Sequence, residues 1–369
     1  MTGNSMIQLR ITAAICIACV LGAGTAAASA APTQPAQWRI AYTSGRAFNT
    51  TFYAVTAPSR SDAWAAGYTT ARNGVVTADF AHWNGSRWRA AAISSVAGFR
   101  PWVAESTSPS DVWFFGALNS TFEALHHVDG RWRLMATPGD ISAPTIAVLG
   151  SKDLWMVGLG GSCDVSTNQC TSQLEHWNGA SWSSSTLNVE VLGVTGGSGG
   201  VWAISLTDLS NVGSAVTLTG KVVLYKWTAG AWQQFAAPDP QTTTGALLAA
   251  GPGGQLWLAA PPLGNSPWVV RHWTGTRWTH VQIPRSFLPL LDLGPVTSDL
   301  GDGVWLGPFL HWTGSRWAAS SQDQFPSLCG YSFQAIAAVP RSHSLWAAGD
   351  GCVSAKADVR MVAVYGPLP

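Results

Sequence analysis

A tryptophan that follows a short turn and opens an apolar run recurs seven times in the 369-residue chain, at Trp64, Trp113, Trp155, Trp202, Trp257, Trp305 and Trp346. The intervals run from 41 to 55 residues. That is the length of one supersecondary unit, so the chain must be an array of units that bury their faces against one another. In six units a second signature follows: His82-Trp83-Asn84-Gly85 to Trp88, His127-Val128-Asp129-Gly130 to Trp132, His176-Trp177-Asn178-Gly179 to Trp182, Lys226-Trp227 to Trp232, His272-Trp273 to Trp278 and His311-Trp312 to Trp317.

Each unit reads as four short strands. Phe52 to Ala57 meets a turn at Pro58 to Asp62, a second strand carries Trp64 and Gly67, and a third ends at His82-Trp83. Asn84-Gly85 then predicts a two-residue hairpin into a fourth strand holding Trp88. Four-stranded antiparallel units at this period define an all-β fold, a seven-bladed β-propeller. The last unit stops at Pro369 without a fourth-strand tryptophan, whereas Trp38-Arg39-Ile40 near the start matches Trp88-Arg89 and Trp132-Arg133. The N-terminal segment is therefore expected to supply the outer strand of the last blade and seal the ring, leaving no unpaired edge there.

Residues 1–30 read as a secretion signal. Arg10 precedes an apolar run from Ile11 to Gly22, and Ala28-Ser29-Ala30 gives a small-residue cleavage pattern. The ring is then one domain over 31–369. A lipoprotein reading through Cys19 is weaker, because Cys16 stands where a branched apolar residue belongs. Removing Arg10 takes the balance from 20 basic and 19 acidic residues to 19 of each. A chain so balanced offers no broad basic face for nucleic acid, and no later apolar run is long enough to span a bilayer. The expectation is a secreted monomer without a cofactor. Four cysteines remain, Cys163, Cys170, Cys329 and Cys352, and an oxidising compartment favours two disulfides, paired 163–170 and 329–352, over a metal site.

The run Asp-x-Trp-x-x-Gly followed by His-Trp-Asn/Thr-Gly-x-x-Trp resembles the tryptophan-rich propeller repeats of secreted actinobacterial proteins, grouped loosely with the galactose oxidase/kelch propellers. Sixteen Arg against four Lys is compatible with such a GC-rich source. Trp273-Thr274-Gly275-Thr276-Arg277-Trp278 is also similar, more weakly, to the tectonin repeat of propeller lectins. Neither resemblance implies one fixed activity.

The recurrent histidines, His82, His127, His176, His272 and His311, lie on third strands of different blades and so cannot converge on one ion. They are expected to fill slots between blades and bond backbone groups, with Asp62, Asp111 and Asp153 capping turns. Most of the 21 tryptophans are expected in the core. Trp102 and Trp268 fall outside the repeat. Links between blades and from second to third strands share one face, and variable length concentrates there, at 69–76, 160–171, 208–219, 237–243 and 320–331. That face is the expected binding surface for a glycan or an extracellular protein, with Arg100, Trp102, Asp164, Asp208, Trp268, Asp323 and Tyr331 as candidate contacts. A secreted carbohydrate-active enzyme is the alternative. Its acids would be Glu105, Glu190 and Asp292 on innermost strands, since two carboxylates about 5 to 10 Å apart can hydrolyse a glycoside.

Overall fold

The computed structural model describes residues 37–366 except 48–49, 95, 139–143, 159–161, 165–166, 168, 213–216, 239–241, 244, 262–267, 291–294, 321–324, 326–327, 329, 343 and 355–356. Seven antiparallel sheets follow one another, each built on a four-strand meander, as the repeat requires. Their innermost strands are Thr50–Ser59, Arg100–Ser108, Thr145–Gly150, Glu190–Gly197, Leu247–Ala250, Val296–Ser298 and Gly330–Ala338, in blades 1 to 7. Each meets the next, and the seventh meets the first. The fold is a seven-bladed β-propeller.

Closure occurs as Trp38 foretells. Trp38–Ala47 runs antiparallel to Ala357–Tyr365, with Trp38 opposite Tyr365, and completes blade 7. Trp38 is 3% exposed and its indole Nε1 donates to Ser320 Oγ of blade 6 at 2.9 Å. This bond is one of a series around the ring. The fourth-strand indoles of Trp182, Trp278 and Trp317 donate to the carbonyls of Ala136, Ala236 and Gln282, and Trp232 donates to Ser185 Oγ, in each case in or just beyond the fourth strand of the preceding blade. These fourth-strand tryptophans thus do two things: their rings fill the wedge between twisted sheets, and their one polar atom ties neighbouring blades, whereas Trp88 Nε1 in blade 1 is buried without such a bond. Blades 7 and 1 are further joined by Arg360, 6% exposed, which donates to Asp79 Oδ2 at 2.5 Å, to Thr69 Oγ1 at 2.5 Å and to Ser44 Oγ at 3.3 Å.

The Gly of the Trp-x-x-Gly motif has a steric cause. In blades 1, 2 and 7 the innermost strand carries a bulge, at Tyr53, Trp102 and Gln334, each falling between two register pairs. The bulge pushes the innermost backbone onto the second strand. A Cβ on Gly67, Gly116 or Gly349 would lie 1.9, 2.0 or 1.8 Å from the carbonyl oxygen of Thr51, Arg100 or Ser332. In these three blades only glycine leaves that space, whereas blade 4 carries a bulge at Leu192 with Ser205 at the equivalent position.

Three expectations are corrected. The turn after the third strand is not a two-residue hairpin: Trp83 pairs with Trp88, so residues 84–87 form a four-residue loop. In it Asn84 Oδ1 accepts the Ser86 and Arg87 amides at 3.1 Å each. Asn84 thus serves as a side-chain acceptor as well as a turn former. Second, two of the variable segments are largely strand. Ser162–Asp164 pairs with Gln169–Trp177, and Gly200–Val212 runs on to meet Thr217–Thr228, because Thr- and Val-bearing segments extend the ladder instead of ending it. Third, the innermost strand of blade 6 begins at Val296, so Asp292 precedes it and lies outside the described residues.

Cys163 and Cys170 are direct register partners, and Cys352 stands opposite Gly330, the neighbour of Cys329. The side chain of Cys163 and the whole of Cys329 fall outside the described residues, and so do residues 1–36 with the expected signal. Among the described residues no helix is long and apolar enough to cross a membrane.

Candidate functional site

The histidines bond aspartates, not backbone. His82 Nε2 meets Asp62 at 3.1 Å, His176 meets Asp153 at 3.0 Å and His311 meets Asp299 at 3.0 Å. In blade 2 the residue is His126 and not His127: His126 pairs with Trp113 across the ladder and its Nε2 lies 2.8 Å from Asp111 Oδ1. A carboxylate can only accept, so Nε2 carries the proton in each pair. Every such imidazole stacks on the second-strand indole, with centroids 3.4 to 4.2 Å apart across blades 1, 2, 3 and 6. Where the aspartate is replaced, the partner changes. Blade 5 uses Gln255 with His272 at 3.3 Å, and blade 4, with Gly200 at the aspartate position, lays Lys226 over Trp202 at 5.1 Å.

These pairs are scaffold, and they set a pH limit. Burial opposes ionisation of Asp111, but hydrogen bonds from His126, Thr107 and Trp113 outweigh it and hold the carboxyl below the usual range. Asp299 is lowered in the same way, against burial, by His311 and the Gly301 and Gly303 amides. A carboxylate depressed in the folded state contributes stability above its unfolded pKa, about 3.9, and loses it as pH falls through the folded value. We expect chemical denaturation to show a stability loss below about pH 4 that shrinks in the Asp299→Asn variant. An unchanged acid slope would rule out this linkage.

The second feature is a patch on the loop-rich side of blades 7, 1 and 2. Their innermost strands hold 9, 10 and 9 residues, against 6, 8, 4 and 3 in blades 3 to 6, so this side of the channel wall is longest. Each of these strands carries a bulge, and blade 4 has a further one at Leu192. Trp102 is 37% exposed, with its ring 6.3 Å from Phe122. Tyr53 stacks on Tyr68 with centroids 4.8 Å apart, and burial together with the bond to Tyr68 pushes the Tyr53 hydroxyl pKa up, keeping it protonated. The Arg100 guanidinium lies 6.0 Å from the Tyr68 ring, bridging blades 2 and 1. Thr51 Oγ1 donates to Asp350 Oδ1 at 3.3 Å, bridging blades 1 and 7. Gln334, exposed, donates to Ser332 Oγ at 2.7 Å.

Of the residues singled out from sequence, Arg100 joins this patch, while Trp102, exposed two residues along the same strand, lies against Phe122 on the side of blade 2 that faces blade 3. The others do not gather with them. Trp268 packs against the core around Trp257 and Val270. Tyr331 packs against Phe325 and Phe333, at 4.9 and 5.4 Å. Asp208 pairs with Lys221 at 2.7 Å, Asp164 is exposed on its short strand, and Asp323 lies outside the described residues. Tyr53, Tyr68, Gln334 and Asp350 were missed. In blades 1, 2 and 7 a Gly three residues after the second-strand tryptophan faces the bulge, but blade 4 has a bulge opposite Ser205, so the position is read only from the pairing register.

The acids of the alternative reading are separated. Glu105 lies three residues before the hairpin end of its strand and Glu190 seven before the end of its own, in blades 2 and 4. Four residues of strand is about 13 Å of height at about 3.3 Å per residue. That exceeds the separation glycoside hydrolysis requires. Glu190 is buried, and burial pushes its carboxyl up. Glu105 lines a cavity of about 340 Å³ at the hairpin end of the channel, away from the loop-rich patch. Burial pushes its carboxyl up to about 7. No cluster of three potential metal ligands occurs among the described residues.

No family model matches the sequence, and no curated protein matches it, so the kelch and tectonin resemblances gain no support at sequence level. Solved structures do match. YCF48 bound to D1 peptide superposes with a TM-score of 0.53 at 14% identity, covering 91% of this chain and 98% of its own. U3-55K gives 0.53 at 11% identity, covering 90% and 98%. YCF48 from Cyanidioschyzon merolae gives 0.52 at 12%, covering 89% and 98%. At such identities the likeness shows the propeller fold alone.

Proposed function

We propose that this chain is an exported, non-catalytic binding module that engages a surface glycan through the bulged patch of blades 7, 1 and 2. The observation that carries the reading is the juxtaposition of the Tyr53–Tyr68 stack, Arg100 and Asp350 on three adjacent blades, with Trp102 and Gln334 exposed at the bulges of the flanking innermost strands. Aromatic faces stack on the apolar faces of sugar rings, while a guanidinium, an amide and a carboxylate bond hydroxyls. A rigid scaffold holds them in place, so little ordering is needed on binding. The separated carboxylates favour binding over hydrolysis. Export through residues 1–30 and stapling by Cys163–Cys170 and Cys329–Cys352 belong to the same proposal.

A glycan array followed by titration with the bound sugars tests it. Saturable binding without release from chromogenic glycosides is expected, and the Trp102→Ala/Arg100→Ala double variant should weaken it by more than about tenfold, or 1.4 kcal/mol. Turnover that disappears in Glu105→Gln would establish the enzyme instead. Binding of an extracellular protein with no glycan bound would move the ligand class while keeping the patch.

A further inference from the structure

The two residues that flank each fourth-strand tryptophan stand on the outer rim of the ring at its hairpin end, because that strand is outermost in its sheet and starts from the turn after the third. In blades 7, 1 and 2 five of these six positions are arginine: Arg39, Arg87, Arg89, Arg131 and Arg133. In blades 3 to 6 only Arg277 and Arg316 are, out of eight. All five are exposed, and none meets a carboxylate among the described residues. Arg39 donates to the Gly366 carbonyl at 2.7 Å, which steadies its fork without neutralising it.

The acids nearby do little to offset them. Across residues 37–47, 84–91 and 129–136, the turns and outer strands that carry the row, Asp129 is the only acid. On adjoining strands Asp62 is tied to His82 and Asp111 to His126. A chain of nearly balanced charge therefore folds with unpaired guanidinium groups along one arc of its rim. Like charges so gathered repel one another and concentrate counter-ions, which is the electrostatic footprint of a polyanion site.

We propose that this arc binds a linear acidic polysaccharide, its carboxylate or sulfate groups seated against the five arginines. The planar fork of arginine takes an oxyanion through two parallel bonds, where lysine offers a point charge. The shape of the row selects a flexible polymer. Arg87 and Arg131 lie at the turns, on the hairpin face, whereas Arg39, Arg89 and Arg133 lie one residue past the tryptophan, on the flank. A chain can follow both surfaces around the curve; a flat bilayer meets only the face. Single-stranded nucleic acid gains its hold from aromatic faces that stack on bases, and Trp38 and Trp88, set between these arginines, are buried.

Titration of the full chain with fluorescently labelled alginate, a polyuronate, and separately with dextran sulfate tests the proposal. Expected are saturable binding of at least one, none of neutral dextran, and an affinity that falls by more than about tenfold between about 50 and 200 mM salt. Arg89→Gln/Arg133→Gln should weaken binding by more than about tenfold. Arg277→Gln/Arg316→Gln, which removes the same charge from blades 5 and 6, should change it by less than about threefold. The salt series uses the unaltered protein, so it stands even if a variant folds poorly. Alginate binding alone assigns the carboxylate, and dextran sulfate binding alone assigns the sulfate. Binding of neither polymer, equal weakening by the two double variants, or tighter binding of DNA or of anionic vesicles overturns the proposal. The sugar-binding reading of the loop-rich patch is tested apart from it, since Trp102→Ala/Arg100→Ala leaves the arc intact and should leave binding of these polymers unchanged.

Discussion

Alanine at position 38 lowers the stability of the propeller by about 4 kcal/mol, within the range for removing a buried tryptophan. Trp38 packs against Phe333 and Tyr365, with ring centroids 5.2 and 5.5 Å away, and is the only side chain of the last blade whose indole reaches Ser320 of blade 6 among the described bonds. The loss therefore combines the lost burial of the indole, a cavity at the joint and the lost bond to Ser320, whose hydroxyl keeps its contacts to the Pro308 and Phe309 carbonyls. Urea denaturation followed by tryptophan fluorescence measures it. Ser320→Ala, which removes the acceptor and the hydroxyl's longer contacts to the Pro308 and Phe309 carbonyls but leaves the indole in place, should cost about 1 kcal/mol. If Trp38→Ala costs no more than that, the N-terminal strand does not fasten the ring. The variant should also unfold faster, because a ring opened at one joint loses the mutual support of blades 7 and 1.

Gly116→Ala is the second large effect. A Cβ there would sit 2.0 Å from the Arg100 carbonyl oxygen and 2.8 Å from the Pro101 Cα, both backbone atoms that cannot swing aside. The innermost strand must shift or the bulge must flatten, at about 3 kcal/mol or more. Flattening removes the extra residue from between the Pro101–Gly116 and Val103–Phe115 pairs, so Trp102 loses its aim. The same substitution should thus abolish ligand binding even where the protein still folds. Gly150→Ala is the control. Nothing lies within 4 Å of its Cβ position and its φ is not positive, so a change within about 0.5 kcal/mol is expected. Equal effects at 116 and 150 would mean that the close approach carries no energy.

The separate fates of His126 and His127 show how far a sequence can be read. The signature was aligned on the turn, and blade 2 has a shorter turn: Val128 pairs with Arg131 there, whereas Trp83 pairs with Trp88 in blade 1. Counting from the turn, His127 is the equivalent of Trp83 and His126 of His82. His82 and His126 each lie six residues before the fourth-strand tryptophan, but the turn glycine comes one residue later in blade 2, so aligning on it moved the assignment by one residue of strand, which exchanges one face for the other. The aspartates were assigned to turns because their partners lie 12 to 23 residues away in sequence and only pairing brings them together. Among the candidate contacts, Arg100 and Trp102 were legible because both break the repeat. Trp268 breaks it too and packs in the core, so departure from a pattern does not by itself mean exposure.

The number of blades, the meander within each and the joining of the ends were determined by the sequence alone. Those properties rest on apolar spacing, turn residues and a missing tryptophan, all local in the chain, and a repeat states each of them several times over. The position of the bulges, the pairing of histidine with aspartate, the depth of Glu105 and the grouping of Tyr53, Tyr68, Arg100 and Asp350 were decided by the tertiary structure. Each depends on register between strands and on which blade abuts which, and those are fixed by packing side chains into the wedges between sheets, a condition no single segment of the chain contains.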